Sequence, residues 1–287
     1  MRLATFRVDG VVRVGVVDGD HLQAVEAPDL LSVLVEWEQS GPPEPRGQVW
    51  SLAAVELLAP LPRPPRNVFC VGKNYRDHAR EFSRSGYDRS AGGEELPSAP
   101  VVFTKPPSAV VGPGATIERH PTVTKELDYE AELAVIIGRP GRDIAPEDAH
   151  RHVWGYTIVN DVTARDRQRA HRQWFLGKGL DSFCPMGPVA VSADEVDPEG
   201  QARPALELSC WVNEELRQRA NTADLLFDIP TLIATISAGL RLETGDVIAT
   251  GTPAGVGIGF DPPRFLDRGD EVTITISGIG TLRNRVA

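Results

Sequence analysis

Cysteine is scarce in this 287-residue chain: Cys70, Cys184 and Cys210 are three in number. An odd, widely spaced set makes neither a disulfide framework nor a CxxC zinc site, and it fits a reducing cytoplasm, the compartment we expect. Long apolar runs are missing as well. The longest, such as residues 133–137, span a few positions where a bilayer helix needs about 20, so no membrane partner is expected. There is no polybasic run to meet an anionic lipid surface. Basic residues are outnumbered, 30 Lys+Arg against 40 Asp+Glu, for a net charge of −10. That balance excludes a general nucleic-acid binder, which needs a basic surface. The opening MRLATFRVDG has no apolar core of a secretory signal, so none is expected. Neither a fixed-period repeat nor a low-complexity segment is visible.

What is present is an ordinary globular composition, 41% hydrophobic and 24% charged. Residues 1–20 alternate short β-branched runs with Asp9-Gly10 and Asp18-Gly19, a hairpin or meander signal. LLSVLVEWEQ, within residues 28–57, predicts one short helix. LAPLPRPPRN then carries Pro60, Pro62, Pro64 and Pro65, too many for helix or central strand, and reads as a linker. The expected division is a small β-rich N-terminal domain, 1–60, and a catalytic domain, 61–287. In the second part strand-like runs fall at 68–72, 101–105, 133–138, 155–160, 188–192, 206–213, 246–251 and 271–280. Helical pattern is confined to 74–83, about 146–153, and 227–240. The fold class is α+β and β-dominated. The polar, Gly-rich stretch SRSGYDRSAGGEELPSA, 83–99, reads as a surface loop and a lid candidate.

LDYEAELAVIIG (127–138) carries the most chemical information. Alternate strand residues share a face, so Glu130 and Glu132 point the same way as Ala134 and Ile136. Tyr129, Leu133, Val135 and Ile137 take the other face. Two adjacent carboxylates on an apolar strand must be exposed, share a proton or hold a cation. In GYTIVNDVTARDRQ (155–168) a strand breaks into polar residues, leaving Asp161 at its end, where scaffolds place functional groups. Three carboxylates without a His or Cys pair suit a hard cation, Mg²⁺ or Mn²⁺ rather than zinc, with Ca²⁺ an acceptable occupant in a crystal. In NYRDHAREF, Asp77 is expected to cap a helix on which His78 and Glu81 are i,i+3 neighbours. That pair is either a solvated surface ion pair or an oriented general base. Lys178 lies between glycines in an apolar setting, where the backbone can approach a ligand. ATGTPAGVGIG (249–259) lacks the features of a Walker or Rossmann loop. It reads as a tight turn offering backbone N–H groups and Thr252 to an anion.

VGKNYRDHAREF, VVFTKPPSAVVGPG, LDYEAELAVIIGR, GYTIVNDVTARDRQ, WFLGKGLDSFCPMGP and ATGTPAGVG, in that order, resemble the fumarylacetoacetate hydrolase family over roughly 66–287. The resemblance implies a mixed sheet rolled into a flattened barrel with a smaller N-terminal domain, and a homodimer. It implies that Glu130, Glu132 and Asp161 hold the divalent metal. It places His78 on the catalytic histidine and Glu81 on its paired carboxylate. It puts Lys178 and Gln168 against substrate and developing negative charge, and Arg165 and Thr252 near the substrate carboxylate or oxyanion. The substrate it implies is a small 2-oxo acid. The expected reaction is C–C cleavage of an acylpyruvate-like acid through a metal-stabilised enolate. Oxaloacetate-type decarboxylation and hydroxymuconate-type isomerisation in aromatic degradation are the alternatives. A catalytically silent metal-binding subunit is the non-enzymatic one, against which the His78, Glu81 and Lys178 set speaks.

Overall fold

The computed structural model describes residues 1–87 and 95–287. The chain opens with an antiparallel meander of Arg2–Val8, Val11–Asp18 and His21–Ala24. Its first turn has Asp9 and Gly10 both at positive φ, 50° and 75°, as a two-residue hairpin with the right-handed strand twist requires. Helix α1, Leu30–Ser40, starts where the Asp29 carboxylate accepts the Ser32 N–H at 2.8 Å, and it stops at Gly41. Leu30, Val33 and Leu34, spaced for one helical face, are its buried residues.

The stretch read as a linker is packed. Ala59, Pro60 and Leu61 are buried, and the Pro60 carbonyl accepts from Thr5 Oγ1 at 2.7 Å. The strand Arg2–Val8 pairs with Cys184–Ser192, so the N-terminal meander and the later strands share one sheet. Across that sheet the order is Val49–Ser51, His21–Ala24, Val11–Asp18, Arg2–Val8, Cys184–Ser192, Val153–Asn160, Ala131–Ile137, Val247–Ala249, Val68–Gly72 and Val101–Lys105. Among the described residues this pairing runs edge to edge and does not close into a ring. A second sheet of five strands is ordered Glu215–Asn221, Glu207–Val212, Glu271–Ile276, Gly280–Val286 and Thr116–Ile117. The remaining helices are α2 (Arg76–Arg84), α3 (Arg165–Ala170), α4 (Phe175–Lys178), α5 (Ala193–Val196) and α6 (Ile229–Ser237). The result is a β-dominated α+β fold. No helix among the described residues is long and apolar enough to cross a membrane.

The strand Ala131–Ile137 is buried on both faces. Leu133, Val135 and Ile137 join the core that includes Leu208, Cys210 and Ile274 of the five-stranded sheet. Ala134 and Ile136 face the other way, into the cluster with Leu30, Val33 and Leu34 of α1. Cover on both sides explains why the segment reads as a continuous apolar run. The period of two holds, and it carries Glu130 and Glu132 onto the Ala134 side.

Several expectations need correction. Asp77 does not cap α2: the capping position is Tyr75, without a side-chain cap, and Asp77 lies in the first turn. The helix starts earlier because Tyr75 bridges to Leu225 while the Asn74 amide donates to the carbonyls of Thr250 at 2.7 Å and Phe227 at 3.0 Å. The segment near 146–153 is a 3₁₀ turn series, Pro146–His152, rather than an α-helix. The run expected over 271–280 ends at Ile276, and a hairpin returns it as Gly280–Val286. Strand Glu215–Asn221 has a largely polar pattern and was not anticipated; it lies at a sheet edge, and Gln218 is its one buried residue. The lid expected over 83–99 falls in part on residues 88–94, outside those described.

Gly155 brings two central strands together: a Cβ there would stand 2.0 Å from the Val191 carbonyl oxygen. Backbone cannot yield cheaply to that contact, so Gly155→Ala is expected to cost about 1–3 kcal/mol. Denaturant unfolding of the two proteins checks this, and equal midpoints would refute the close-contact account.

Candidate active site

The strands Ala131–Ile137 and Val153–Asn160 are antiparallel, with Ala131 opposite Asn160. Residue 130 just before one strand and residue 161 just after the other are therefore neighbours. The Asp161 N–H donates to the Glu130 carbonyl at 2.8 Å, and the Asn160 side-chain oxygen accepts the Glu130 N–H at 3.0 Å. Glu132, two residues along, aims at the same point. One carboxylate oxygen from each of Glu130, Glu132 and Asp161 lies within 4.8 Å of the others, and all three residues are buried.

Three buried cations hold this cluster. Lys178 Nζ is 2.8 Å from Glu130 Oε2 and 2.8 Å from Asp161 Oδ2. Lys105 Nζ is 2.6 Å from Asp161 Oδ1, and it donates to the carbonyls of Val162, Phe183 and Lys178. Arg165 Nη2 is 2.7 Å from Glu130 Oε1, its Nε donates to Asp128 Oδ2 at 2.8 Å, and its Nη1 donates to Gln168 Oε1 at 3.0 Å. Burial alone would raise the pKa of Glu130, but Lys178, Arg165 and His78 outweigh it and hold that carboxyl at about 2. Glu132 is treated differently. Its Oε2 accepts the Gly251 N–H at 2.8 Å. Burial, Asp161 and Glu130 push its pKa well above the usual carboxylate range, against the pull of Lys178 and that N–H. Four buried carboxylates, counting Asp128, thus meet three buried cations. The excess negative charge sits where three oxygen donors converge. That donor set fits a hard divalent cation.

Helix α2 brings the second component. His78 Nδ1 lies 3.1 Å from Glu81 Oε2, and Glu81 Oε1 accepts the Gly255 N–H at 3.0 Å. With a carboxylate on Nδ1, that nitrogen carries the proton and Nε2 is the basic nitrogen left to the cleft. The pair is not a solvated surface contact, since His78 is 4% exposed. Phe82 on the same helix meets Trp174 edge to face, with centroids 5.9 Å apart. His78, Glu130, Arg165, Gln168, Lys178 and Thr252 line one cleft, whose free volume is only about 10 Å³. That is room for roughly one water.

The Gly-rich loop differs from its expected role. Its N–H groups are taken by the protein's own carboxylates: Gly251 by Glu132, Gly255 by Glu81, and Gly257 and Ile258 by Asp128. The loop braces acids instead of offering itself to an external anion. Thr252 does reach the cleft; its Oγ1 accepts from Gln218 Nε2 at 2.7 Å, which leaves its own O–H to donate.

All nine residues singled out in the sequence converge. Glu130, Glu132 and Asp161 form the acidic cluster, Lys178, Arg165, Gln168 and Thr252 flank it, and His78 backed by Glu81 closes it. Arg165 is more a strut than an open anion site, because all three of its nitrogens are engaged. Asp128 and Lys105 were missed. Asp128 had a legible signal, since LDYEAE places acids at 128, 130 and 132 on one face. Lys105 had none, as only the tertiary fold brings it to Asp161.

The chain belongs to the fumarylacetoacetate hydrolase family and is an enzyme of that family. The family model described as "Fumarylacetoacetate (FAA) hydrolase C-terminal" matches residues 67–287, and one described as "Rv2993c-like, N-terminal" matches residues 1–60. Among curated relatives, the oxaloacetate tautomerase YisK of Bacillus subtilis (strain 168) is 50% identical over 254 residues, 88% of this chain and 80% of that one. Among solved structures, a fumarylacetoacetate hydrolase from Exiguobacterium antarcticum superposes with a TM-score of 0.82 at 45% identity, over 100% of this chain and 99% of the other. A maleylpyruvate hydrolase from Sphingobium sp. SYK-6, in complex with manganese(II) ion and pyruvate, gives 0.77 at 32%, over 100% and 99%.

Gly259 has a Cβ position 1.8 Å from Glu81 Oε1. A methyl there must move a flexible carboxylate rather than backbone. Gly259→Ala is therefore expected to keep its melting temperature within a few degrees while kcat falls about 10- to 100-fold, as when an orienting partner is displaced. Wild-type kcat in a well-folded Gly259→Ala protein would show that Glu81 placement does not matter.

Proposed function

We propose that the protein enolises a small 2-oxo acid with an acidic C3 hydrogen, such as oxaloacetate, interconverting its keto and enol forms. The observation that carries this is His78, its Nδ1 held by Glu81 and its Nε2 left to a cleft walled by Lys178 and Glu130. The 50% identity to a relative named oxaloacetate tautomerase supports it.

Glu130, Glu132 and Asp161 would hold a divalent cation, Mg²⁺ or Mn²⁺, and the manganese in the Sphingobium structure supports that choice. When bound, it supplies Lewis acidity toward the 2-oxo oxygen. His78 Nε2 removes the C3 proton, and the C–H electron pair becomes the C2–C3 double bond. Glu81 stabilises the imidazolium that forms. Lys178 and the NH₂ group of Gln168, whose carbonyl is occupied by Arg165, stabilise negative charge growing on the C2 oxygen. Thr252 donates its hydroxyl to the substrate's carboxylate. Return of the proton to that oxygen completes the enol, with no net gain or loss of atoms.

A second reading is hydrolysis of an acylpyruvate. The cleft has room for a water beside His78, and the Sphingobium relative is named a maleylpyruvate hydrolase. The two readings share the site and differ in whether His78 takes its proton from carbon or from water.

Purified protein with Mg²⁺ or Mn²⁺ is expected to speed decay of the oxaloacetate enol absorbance, and chelation is expected to abolish this. Glu130→Gln should lose both metal binding by calorimetry and turnover while retaining its circular dichroism. His78→Ala should lower kcat by about 10²-fold or more. Background decay of the enol alongside pyruvate release from acetylpyruvate would replace the tautomerase reading with the hydrolase one. Full activity in metal-free protein would refute both.

A further inference from the structure

The edge strand Glu215–Asn221 sends one side chain inward, and it is a glutamine. Along this strand Gln218 stands opposite Cys210 and Leu216 opposite Trp211, so Arg217 is an extra residue, a β-bulge. In a regular strand Leu216 and Gln218 would share a face. The bulge separates them: Leu216 is 45% exposed, while Gln218 is 1% exposed and lies beside the buried Cys210. The strand thus leaves a leucine in water and takes a primary amide out of it. Burying that amide is costly unless its polar atoms find partners.

Gln218 finds three. Its Oε1 accepts the Ala131 N–H at 3.0 Å, and its Nε2 donates to the Pro253 carbonyl at 2.7 Å and to Thr252 Oγ1 at 2.7 Å. These partners leave the amide one orientation. A backbone N–H can only donate and a backbone carbonyl can only accept, so Oε1 faces Ala131 and the NH₂ group faces the loop. Its second hydrogen then falls on Thr252, whose oxygen must accept. The Thr252 hydroxyl hydrogen is turned away from Gln218, and Thr252 lines the cleft. Ala131 sits between Glu130 and Glu132, so the same amide ties the Thr252 loop to the strand that carries two of the three acidic residues.

We propose that Gln218 is a positioning residue for carboxylate recognition: its amide fixes Thr252 as a hydrogen-bond donor toward the cleft. This rests on the reading above, in which Thr252 donates to the substrate's carboxylate. A hydroxyl is by nature both donor and acceptor and turns to suit its surroundings. With its acceptor side taken by Gln218, Thr252 meets a carboxylate oxygen without first reorienting, and a charge-assisted hydrogen bond results. Gln218 itself does not touch the substrate and acts only through Thr252.

The test is a double-mutant cycle of wild type, Gln218→Met, Thr252→Val and the double variant. Pyruvate binding with Mg²⁺ present is measured by calorimetry, and KM and kcat for oxaloacetate enolisation by enol absorbance. Each single variant is expected to weaken pyruvate binding about tenfold and to raise the oxaloacetate KM by a similar factor, with kcat within about threefold. The double variant should bind no more weakly than Thr252→Val. Losses that multiply in the double variant would mark Gln218 as merely structural and overturn the assignment, as would wild-type affinity in Gln218→Met. If Gln218→Met does not fold, Gln218→Glu replaces it. That variant has the same shape, keeps an acceptor for the Ala131 N–H and leaves at most one hydrogen for Thr252 and Pro253, so the same pattern is expected. Wild type that binds pyruvate with this coupling but does not speed decay of the oxaloacetate enol would refute the enolisation reading and leave the Gln218 assignment standing. Wild type that does not bind pyruvate would overturn the assignment.

Discussion

The arrangement depends on four carboxylates taken out of water together. Asp128, Glu130, Glu132 and Asp161 are buried at the open ends of two adjacent strands, where mutual repulsion and desolvation both oppose their ionisation. Lys105, Lys178 and Arg165 offset most of that charge from three different parts of the chain. Lys105 is in turn held by the carbonyls of Val162 and Phe183, and Arg165 by the Gln168 side-chain amide, so the segments that follow the two strands are tied to the cluster. The compensation is incomplete at Glu132, whose neighbours push its pKa upward. A site built this way is poised for a divalent ion, because a dication meets the residual charge without new protein groups.

The Gly-rich loop couples this centre to the helix above it. Gly251 donates to Glu132, while Gly255 donates to Glu81, the carboxylate that orients His78. One loop therefore positions a member of the acidic cluster and the partner of the base. Glycine at 259 leaves space that the Glu81 carboxylate fills. The loop's composition thus answers to internal close approach rather than to phosphate or substrate binding.

Much of the fold was legible along the chain. The strands 68–72 and 101–105 coincide with Val68–Gly72 and Val101–Lys105. The face assignment of Glu130 and Glu132 held because a strand covered on both sides still alternates. The pattern failed where local signals are weak. Strand Glu215–Asn221 is largely polar, and α3 is six residues long, too short for a helical period to show. Asp77 resembled a cap, but contacts of Asn74 and Tyr75 with distant segments set where α2 begins.

By itself the sequence determined which chemistry is available: three carboxylates on strand ends, a histidine one helical turn from a glutamate, and a lysine between glycines. Spacing along one element suffices for that, since side chains two apart on a strand or three apart on a helix share a face. Only the tertiary structure decided how those groups are used. It brought Lys105 from the sheet edge to Asp161, turned Arg165 from an open anion site into a strut, and set Gln218 against Thr252. The physical reason is that compensation of buried charge depends on distances in space, and those distances join residues that are remote in the chain.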